Sequence, residues 1–415
     1  MDRPSRPTYS RPPRRADWGI AVKIGYLLDS YPELSQTFVT NEIDELRDTG
    51  TEVVVVSVRP PTAPGDRLEI CCLAEVDPAA ARSEQKRWIM SHPLRYARFR
   101  ARVANLQLRE RGVEPRFPWR ALLPAATALE ASGAQHLHAH FAWDGAAAAY
   151  CLAPLLGLPW SVTLHANDIF AERRNLALKL RTANRLVTVC DYNLDFMRSE
   201  LQVSRPVDMV ICGVRLPLDS ARAPRPSVDI VAVGRLVEKK GFDLLIEAVA
   251  QLRAEGNTFT AAIVGVGLEL GRLQAMVADH AIADQVAFVG ALPHAAALDL
   301  IASARLFVLP ARVASTGDRD SMPVVLKEAM ALGIPVVGTR VAAIPEMVDS
   351  QVGRIVAPDD VASLATAISE VLELPEPEQR KLGAEGRARV EEKFLLKNEV
   401  GKLAAVFAEE IAKSR

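Results

Sequence analysis

Cysteine is scarce and poorly spaced: Cys71, Cys72, Cys151, Cys190 and Cys212 contain no CxxC pair and leave an odd residue over. This excludes a disulfide framework and a thiolate zinc site, and it points to a reducing cytosol. An excess of one charge sign is also lacking. The chain has 50 Lys and Arg against 51 Asp and Glu, a formal net charge of -1, so no global field advertises nucleic acid as a partner. No apolar run approaches the length of a membrane span, which leaves only peripheral membrane contact. The loop after the first strand-like run has no GxGxxG, which argues against a dinucleotide-binding unit. Tandem short-period repeats are absent too.

What is present is a chain of 415 residues, too long for one ordinary core and suited to two domains of about 200 residues each. Residues 1–18, rich in Arg and Pro without an apolar core, read as a disordered basic tail and not as a signal peptide. Val22–Leu28 reads as a strand, Phe38–Asp48 as a helix, and Glu52–Val58 (EVVVVSV) as a strand buried on both faces. Further strands are expected at His136–Phe141, Trp160–His165, Arg185–Val189 and Val207–Cys212. Residues 19–215 therefore form a first doubly wound α/β domain. A proline-rich joint at 216–227 has linker composition. Residues 228–390 restart the pattern with strands at Asp229–Val233, Ala261–Val264, Val286–Val289, Leu306–Leu309, Pro335–Val337 and Arg354–Val356. Residues 391–415 close the chain as a charged helix expected to cross back to the first domain.

Between residues 85 and 120 the composition shifts: basic residues surround Trp88, Tyr96, Phe99, Phe117 and Trp119, against only Glu110 and Glu114. Such a stretch suits an anionic membrane surface, at about 1 kcal/mol per basic residue. A solvated helical face with its aromatics turned inward has the same composition.

Two runs carry the chemistry. In DRDSMPVVLKEAMALGIPVV, Met322-Pro323 reads as a helix entry and Gly333 and Pro335 as its stop. Asp320 precedes that helix and Glu328 lies within it, so both carboxylates flank a helix N-terminus, where anions and phosphate in particular are favoured. A ligand with both hydroxyls and phosphates, such as a nucleotide sugar, fits that set. A capping Asp and a solvated Glu would leave the same spacing. The second run, Gly234–Gly241 (GRLVEKKG), follows a strand and precedes a helix, the position where open α/β sheets bind ligands. Arg235 and Lys240 there would face a leaving diphosphate. In HLHAH, the alternating His136, His138 and His140 share one strand face, but the spacing is not that of a structural zinc motif, and no metal is expected. His140 is expected at the strand's carboxyl end, near an acceptor cleft.

GRLVEKKGFDLLIEA, IVGVGLELGRL and the acid-x7-acid segment running into EAMALGIPVV together resemble the retaining family-4 glycosyltransferases of the GT-B fold. YPELSQTFVTNEI, HLHAHFAWDGA and TLHANDIF resemble the branch that builds colanic-acid-type exopolysaccharides. The resemblance runs from about Val22 to the C-terminus. It implies two Rossmann-like domains facing across a cleft, with no cofactor beyond a UDP- or GDP-sugar co-substrate. It also implies a glycan or lipid-linked acceptor and a cytoplasmic site at the inner face of the cell membrane.

By position, the resemblance implies that Glu328 holds the donor ribose, Asp320 the transferred sugar, and Arg235 and Lys240 the diphosphate. Ser321, Met322, Pro323 and Val324 would line the phosphate approach, and the Gly265–Gly267 turn would pass the base. His165 matches the family's active-site histidine. Ser35, Gln36, Thr37, His140 and Asp168 would lie on the acceptor side, Asp168 either ordering its loop or meeting the acceptor. Asp320 stands where Glu is commoner, and Ser321 replaces a frequent Gly, offering a hydroxyl that could cap the helix. Rival readings on the same scaffold are a phosphorylase or epimerase, or an inactive nucleotide-binding membrane scaffold.

Overall fold

Every strand pairing among the described residues is parallel. The structure, a computed structural model, describes residues 22–33, 36–63, 68–109, 117–216 and 227–414. The basic tail, Ser35 and most of the proline-rich joint lie outside those residues.

The first sheet contains β1 (Lys23–Ser30), β2 (Glu52–Arg59), β3 (Glu69–Cys72), β4 (His136–His140), β5 (Trp160–Leu164), β6 (Arg185–Thr188) and β7 (Asp208–Met209). Its order is β3-β2-β1-β4-β5-β6-β7. The second contains β8 (Val228–Val233), β9 (Ala261–Val264), β10 (Val286–Gly290), β11 (Ala304–Leu309), β12 (Val336–Thr339) and β13 (Gly353–Val356), in the order β10-β9-β8-β11-β12-β13. In each sheet the order reverses once, between β1 and β4 and between β8 and β11. Those are the points where a crevice opens at the carboxyl ends of the strands.

The two strand readings that needed correction are at edges. β3 was not expected, and the run expected as a strand over Val207–Cys212 is ordered as one only at Asp208–Met209. Edge strands carry weaker apolar patterning because only one side is paired.

Helices cover both faces of each sheet. One face of the first sheet packs the helices Pro93–Arg109, Leu122–Ser132 and Asp144–Leu156 around Phe99, Leu129 and Leu152. On the other face, Thr37–Asp48 lies beside the last helix, Leu396–Ser414. Leu396, Val400, Leu403, Phe407 and Ile411 of that helix share a core with Ile24, Tyr26 and Val55. Each such side chain contributes about 1.5–3 kcal/mol gross on burial. The charged helix expected over residues 391–415 runs from Leu396 to Ser414 and is preceded by another. Glu376–Lys393 packs on the second domain against Val324–Ala331, and only then does the chain cross. The crossing is tied to the outgoing one: Val214 N–H donates to the Phe394 carbonyl at 2.9 Å and Leu396 N–H to the Val214 carbonyl at 3.0 Å.

The basic stretch folds as Pro78–Ser91 and Pro93–Arg109, and its aromatics turn inward. Trp88 and Phe99 are fully buried, Phe117 nearly so, and Tyr96 and Trp119 pack against the same core. What faces water instead is Ile89, Met90, Leu94 and Leu108, among exposed Lys86, Arg98 and Arg109.

Candidate active site

In the second domain, the loops after β8 and β11 meet at the reversal point. The β8 loop ends in a short turn, Glu238–Lys240, that presents consecutive lysines to the β11 loop. Lys240 Nζ lies 2.5 Å from Asp320 Oδ2. Lys239 Nζ lies 3.0 Å from Asp318 and 3.4 Å from Asp320. Burial alone would raise the Asp320 carboxyl, but Lys240 and Lys239 outweigh it and hold it down at about 2. Asp320 is thus an anion at any working pH. Arg235 stands exposed on the same loop, with no ion-pair partner among the described residues.

Just past this cluster the helix Val324–Ala331 begins, with Pro323 as its cap residue and no side chain bonding its first N–H groups. The helix entry is thus one residue later than Met322-Pro323 suggested. Ser321 does not cap it: its hydroxyl donates to Asn193 Oδ1 of the first domain at 2.7 Å. Met322 and Pro323 are buried, and Val324 is half-buried at the opening. A helix start with unspent N–H groups beside two lysines attracts anionic oxygens. Glu328 sits one turn further on, and its Oε1 lies 2.7 Å from His294 Nε2. That bond raises the His294 imidazole above its ordinary value, though half-burial opposes it.

Gly265 and Gly267 have a local explanation. Gly265 has φ +140° and a Cβ there would lie 1.9 Å from the Gly234 carbonyl oxygen, while one on Gly267 would meet Leu236 O at 2.3 Å. The GVG run is what lets this turn press against the β8 loop.

In the first domain, His165 follows β5 directly and is buried, its ring Nε2 lying 3.0 Å from His140 Nδ1. Burial, with His140 beside it, drives His165 well below the ordinary imidazole range. Asp168 is fully buried. Its carboxylate accepts from His165 N–H at 2.9 Å and Ala142 N–H at 2.8 Å, so it orders the loop and does not face an acceptor. Burial raises it to about 6, against those two N–H groups. His140 does not line the cleft either, being 1 % exposed. Gln36 stands before the helix Thr37–Asp48 with its amide bonded to Glu33 at 2.9 Å, and Thr37 opens that helix half-buried. Glu42, His138 and His140 offer potential ligand atoms within 4.8 Å of one another. Their bonding is already met by Tyr26, Ser161, Thr163 and His165.

The two halves touch through these loops. Asn167 Nδ2 donates to Asp318 Oδ2 at 3.0 Å. Arg319 lies 4.7 Å over the Phe170 ring and bonds the Tyr192 hydroxyl at 2.9 Å. Glu346 accepts the N–H groups of Asp191 and Tyr192. Lys239, Asp318, Asn167, Arg319 and His294 were not singled out from the sequence. The repeat of charge in EKKG and DRD was a usable signal for the first two; the others depend on tertiary contact.

Two parallel doubly wound domains facing across a charged crevice are the GT-B fold. Residues 220–389 match the family described as "Glycosyl transferases group 1", so the chain carries the matched domain of a group 1 glycosyltransferase. It is 28% identical over 407 residues to the putative colanic acid biosynthesis glycosyltransferase WcaL of Escherichia coli K12, covering 90% of this chain and 96% of that one. It is 26% identical over 407 residues, with the same coverage, to the amylovoran biosynthesis glycosyltransferase AmsK of Erwinia amylovora. Among solved structures, the sucrose-phosphate synthase of Thermosynechococcus elongatus matches with a TM-score of 0.70 at 20% identity, over 94% of this chain and 100% of that one.

Proposed function

We propose that the chain transfers a hexose, with retention, from a UDP- or GDP-sugar to a glycan or lipid-linked acceptor in exopolysaccharide biosynthesis. One observation carries this reading: the polar network Asn167–Asp318–Lys239–Asp320–Lys240 joins the His165 loop to paired cations at an uncapped helix start. The near full-length likeness to WcaL and AmsK supports the exopolysaccharide part.

The diphosphate would take the free N–H groups of the Val324 helix together with Lys240 and Arg235, and Glu328 would exchange His294 for the ribose hydroxyls. Asp320 would bind hydroxyls of the transferred sugar, and the Gly265–Gly267 turn would pass the base. Fixed cations at the point where the diphosphate leaves stabilise the developing charge, so the chemistry needs no metal ion. The leaving diphosphate itself assists the incoming hydroxyl on the same face, and no carboxylate nucleophile is required. Domain closure excludes water, which would otherwise hydrolyse the donor. The acceptor would enter over Gln36, Thr37 and His165. Met90 and Leu94, with the exposed Lys86 and Arg98 respectively one helical turn away, would rest on an anionic membrane surface that carries it.

A calorimetric screen against UDP, GDP, ADP and their sugar conjugates, with and without EDTA, tests the reading. One nucleotide family should bind, EDTA should change nothing, and Glu328→Ala and Lys240→Ala should each cost more than about tenfold in affinity or turnover. Absence of response to every nucleotide, or near-normal behaviour of both variants, overturns it.

A further inference from the structure

Tyr26 of β1, Glu42 of the helix Thr37–Asp48, His140 of β4 and His165 after β5 form one hydrogen-bonded chain inside the first domain. The Tyr26 hydroxyl donates to Glu42 Oε1 at 2.8 Å, and His140 Nε2 meets the same oxygen at 2.8 Å. His140 Nδ1 then meets His165 Nε2 at 3.0 Å. All four residues are buried. The His140 ring is held flat between Tyr26, at 5.9 Å and 20°, and His165, at 5.3 Å and 28°, with Phe38 packed beside both histidines. None of these rings can turn without displacing its neighbours.

The protons follow from the chemistry of each group. Burial and the neighbouring Glu42 push the Tyr26 hydroxyl well up, so it stays protonated and donates. A carboxylate only accepts, so His140 carries a proton on Nε2. In a neutral ring His140 Nδ1 is then a lone pair, and the hydrogen on that contact belongs to His165 Nε2. His165 is kept neutral by its burial and so has one bare nitrogen, Nδ1. Among the described residues Nδ1 has no hydrogen-bond partner.

We propose that Glu42 and His140 are positioning residues that fix His165 as its Nε2–H tautomer, so that His165 Nδ1 presents an acceptor to a sugar hydroxyl in the cleft. This rests on the reading of His165 as an active-site residue of a sugar transferase. A second proton on His140 would reverse the outcome, turning Nδ1 of His165 into a donor, and Glu42 is placed to discriminate between the two states through one intervening ring.

The test uses the full chain with ¹⁵N-labelled imidazoles, the His165 signals being assigned from His165→Asn and the tautomer read from two-bond N–H couplings. His165 should be Nε2–H in the wild type. Glu42→Leu, similar in size, removes the oxygen that both the Tyr26 hydroxyl and His140 Nε2 use and should shift His165 away from that tautomer, its fold being checked by thermal melting. Its kcat should fall about 10-fold to 100-fold, as loss of an orienting partner does elsewhere, while KM for the nucleotide sugar and calorimetric nucleotide affinity stay within about twofold. His140→Phe keeps a flat ring and should abolish the selection, its fold being checked by thermal melting. An Nδ1–H His165 in the wild type overturns the inference, as does an unchanged tautomer in Glu42→Leu. A wild-type protein that binds nucleotide yet transfers no sugar would fail the proposed function, while the couplings still decide the tautomer.

Discussion

Asp320 and Lys240 neutralise one another across 2.5 Å at the place where a diphosphate would lie. A carboxylate held at about 2 remains charged down to acidic pH and opposes an incoming anion, while a sugar hydroxyl would welcome it. The two effects separate in Asp320→Asn. That variant should bind free nucleoside diphosphate at least as tightly as the wild type, because Lys240 and Lys239 are released, while sugar transfer falls by more than about tenfold. Calorimetry with the nucleotide alone and kinetics with the sugar donor measure the two arms. Loss of nucleotide affinity in Asp320→Asn would instead make Asp320 a phosphate-site support. At this scale the sequence was informative where chemistry is local: Asp320 and Glu328 stood out by their spacing around one helix start and Lys240 by the strand-to-helix run GRLVEKKG, and the fold brings Lys240 to Asp320. Glu42 was not weighed, although an acid on the buried stripe Val39, Glu42, Ile43, Leu46 is a readable anomaly. His294 gave no signal, because its bond to Glu328 is made only when two helices distant in sequence are brought together.

At the level of elements, the β-branched run of β2 and the apolar run of β11 declared themselves as buried parallel strands, and both sheets followed. The basic stretch was harder to read because its aromatics suit either a lipid surface or a core. Trp88, Phe99, Val103 and Leu106 fall on inward helical faces and pack into the first domain, and Arg100 and Arg102 cover Trp119 and Tyr150 at 3.8 and 4.4 Å. The outward apolar residues are different ones, with Met90 83% and Leu94 76% exposed. Flotation with vesicles of anionic lipid should carry the wild type, and a Met90→Ser, Leu94→Ser double variant should remain in the dense fraction without loss of thermal stability. Equal flotation of both proteins, or none by the wild type on anionic lipid, removes this pair of helices as the membrane contact. No helix among the described residues is long and apolar enough to cross a membrane.

For the molecule as a whole, buried titrating groups set the response to acid. Burial lowers His136 to about 3 and drives His138 and His165 well below the ordinary range. Below about pH 6.5 the unfolded chain takes up protons there that the folded chain refuses, so stability falls as pH falls. Asp29 and Asp168 act oppositely: burial raises both to about 6, so below that pH the folded state takes up protons first and gains stability. Among these five groups the three histidines outweigh the two carboxyls, so they leave a net loss of stability as pH falls from roughly pH 6 to 4. Urea midpoints should therefore drop on going from pH 7 to pH 4.5, and Asp29→Asn should steepen the drop by removing one opposing group. Midpoints that hold level or rise would contradict the assignment of those histidines as buried neutral rings.

The return of the helix Leu396–Ser414 to the first sheet also dictates an order of assembly. The second domain is built from one continuous span, 227–394, whereas the face of the first sheet carrying Tyr26, Val55 and His138 is covered by Phe407 and its neighbours from the far end of the chain. During synthesis the later domain has all its parts while the earlier one still lacks a wall. The usual vectorial sequence, first domain first, is inverted. The rings of His136 and His138 lie behind that wall, so the first domain acquires its finished interior only after the ribosome has delivered residues 396–414, and a polypeptide arrested short of them would show those rings to water.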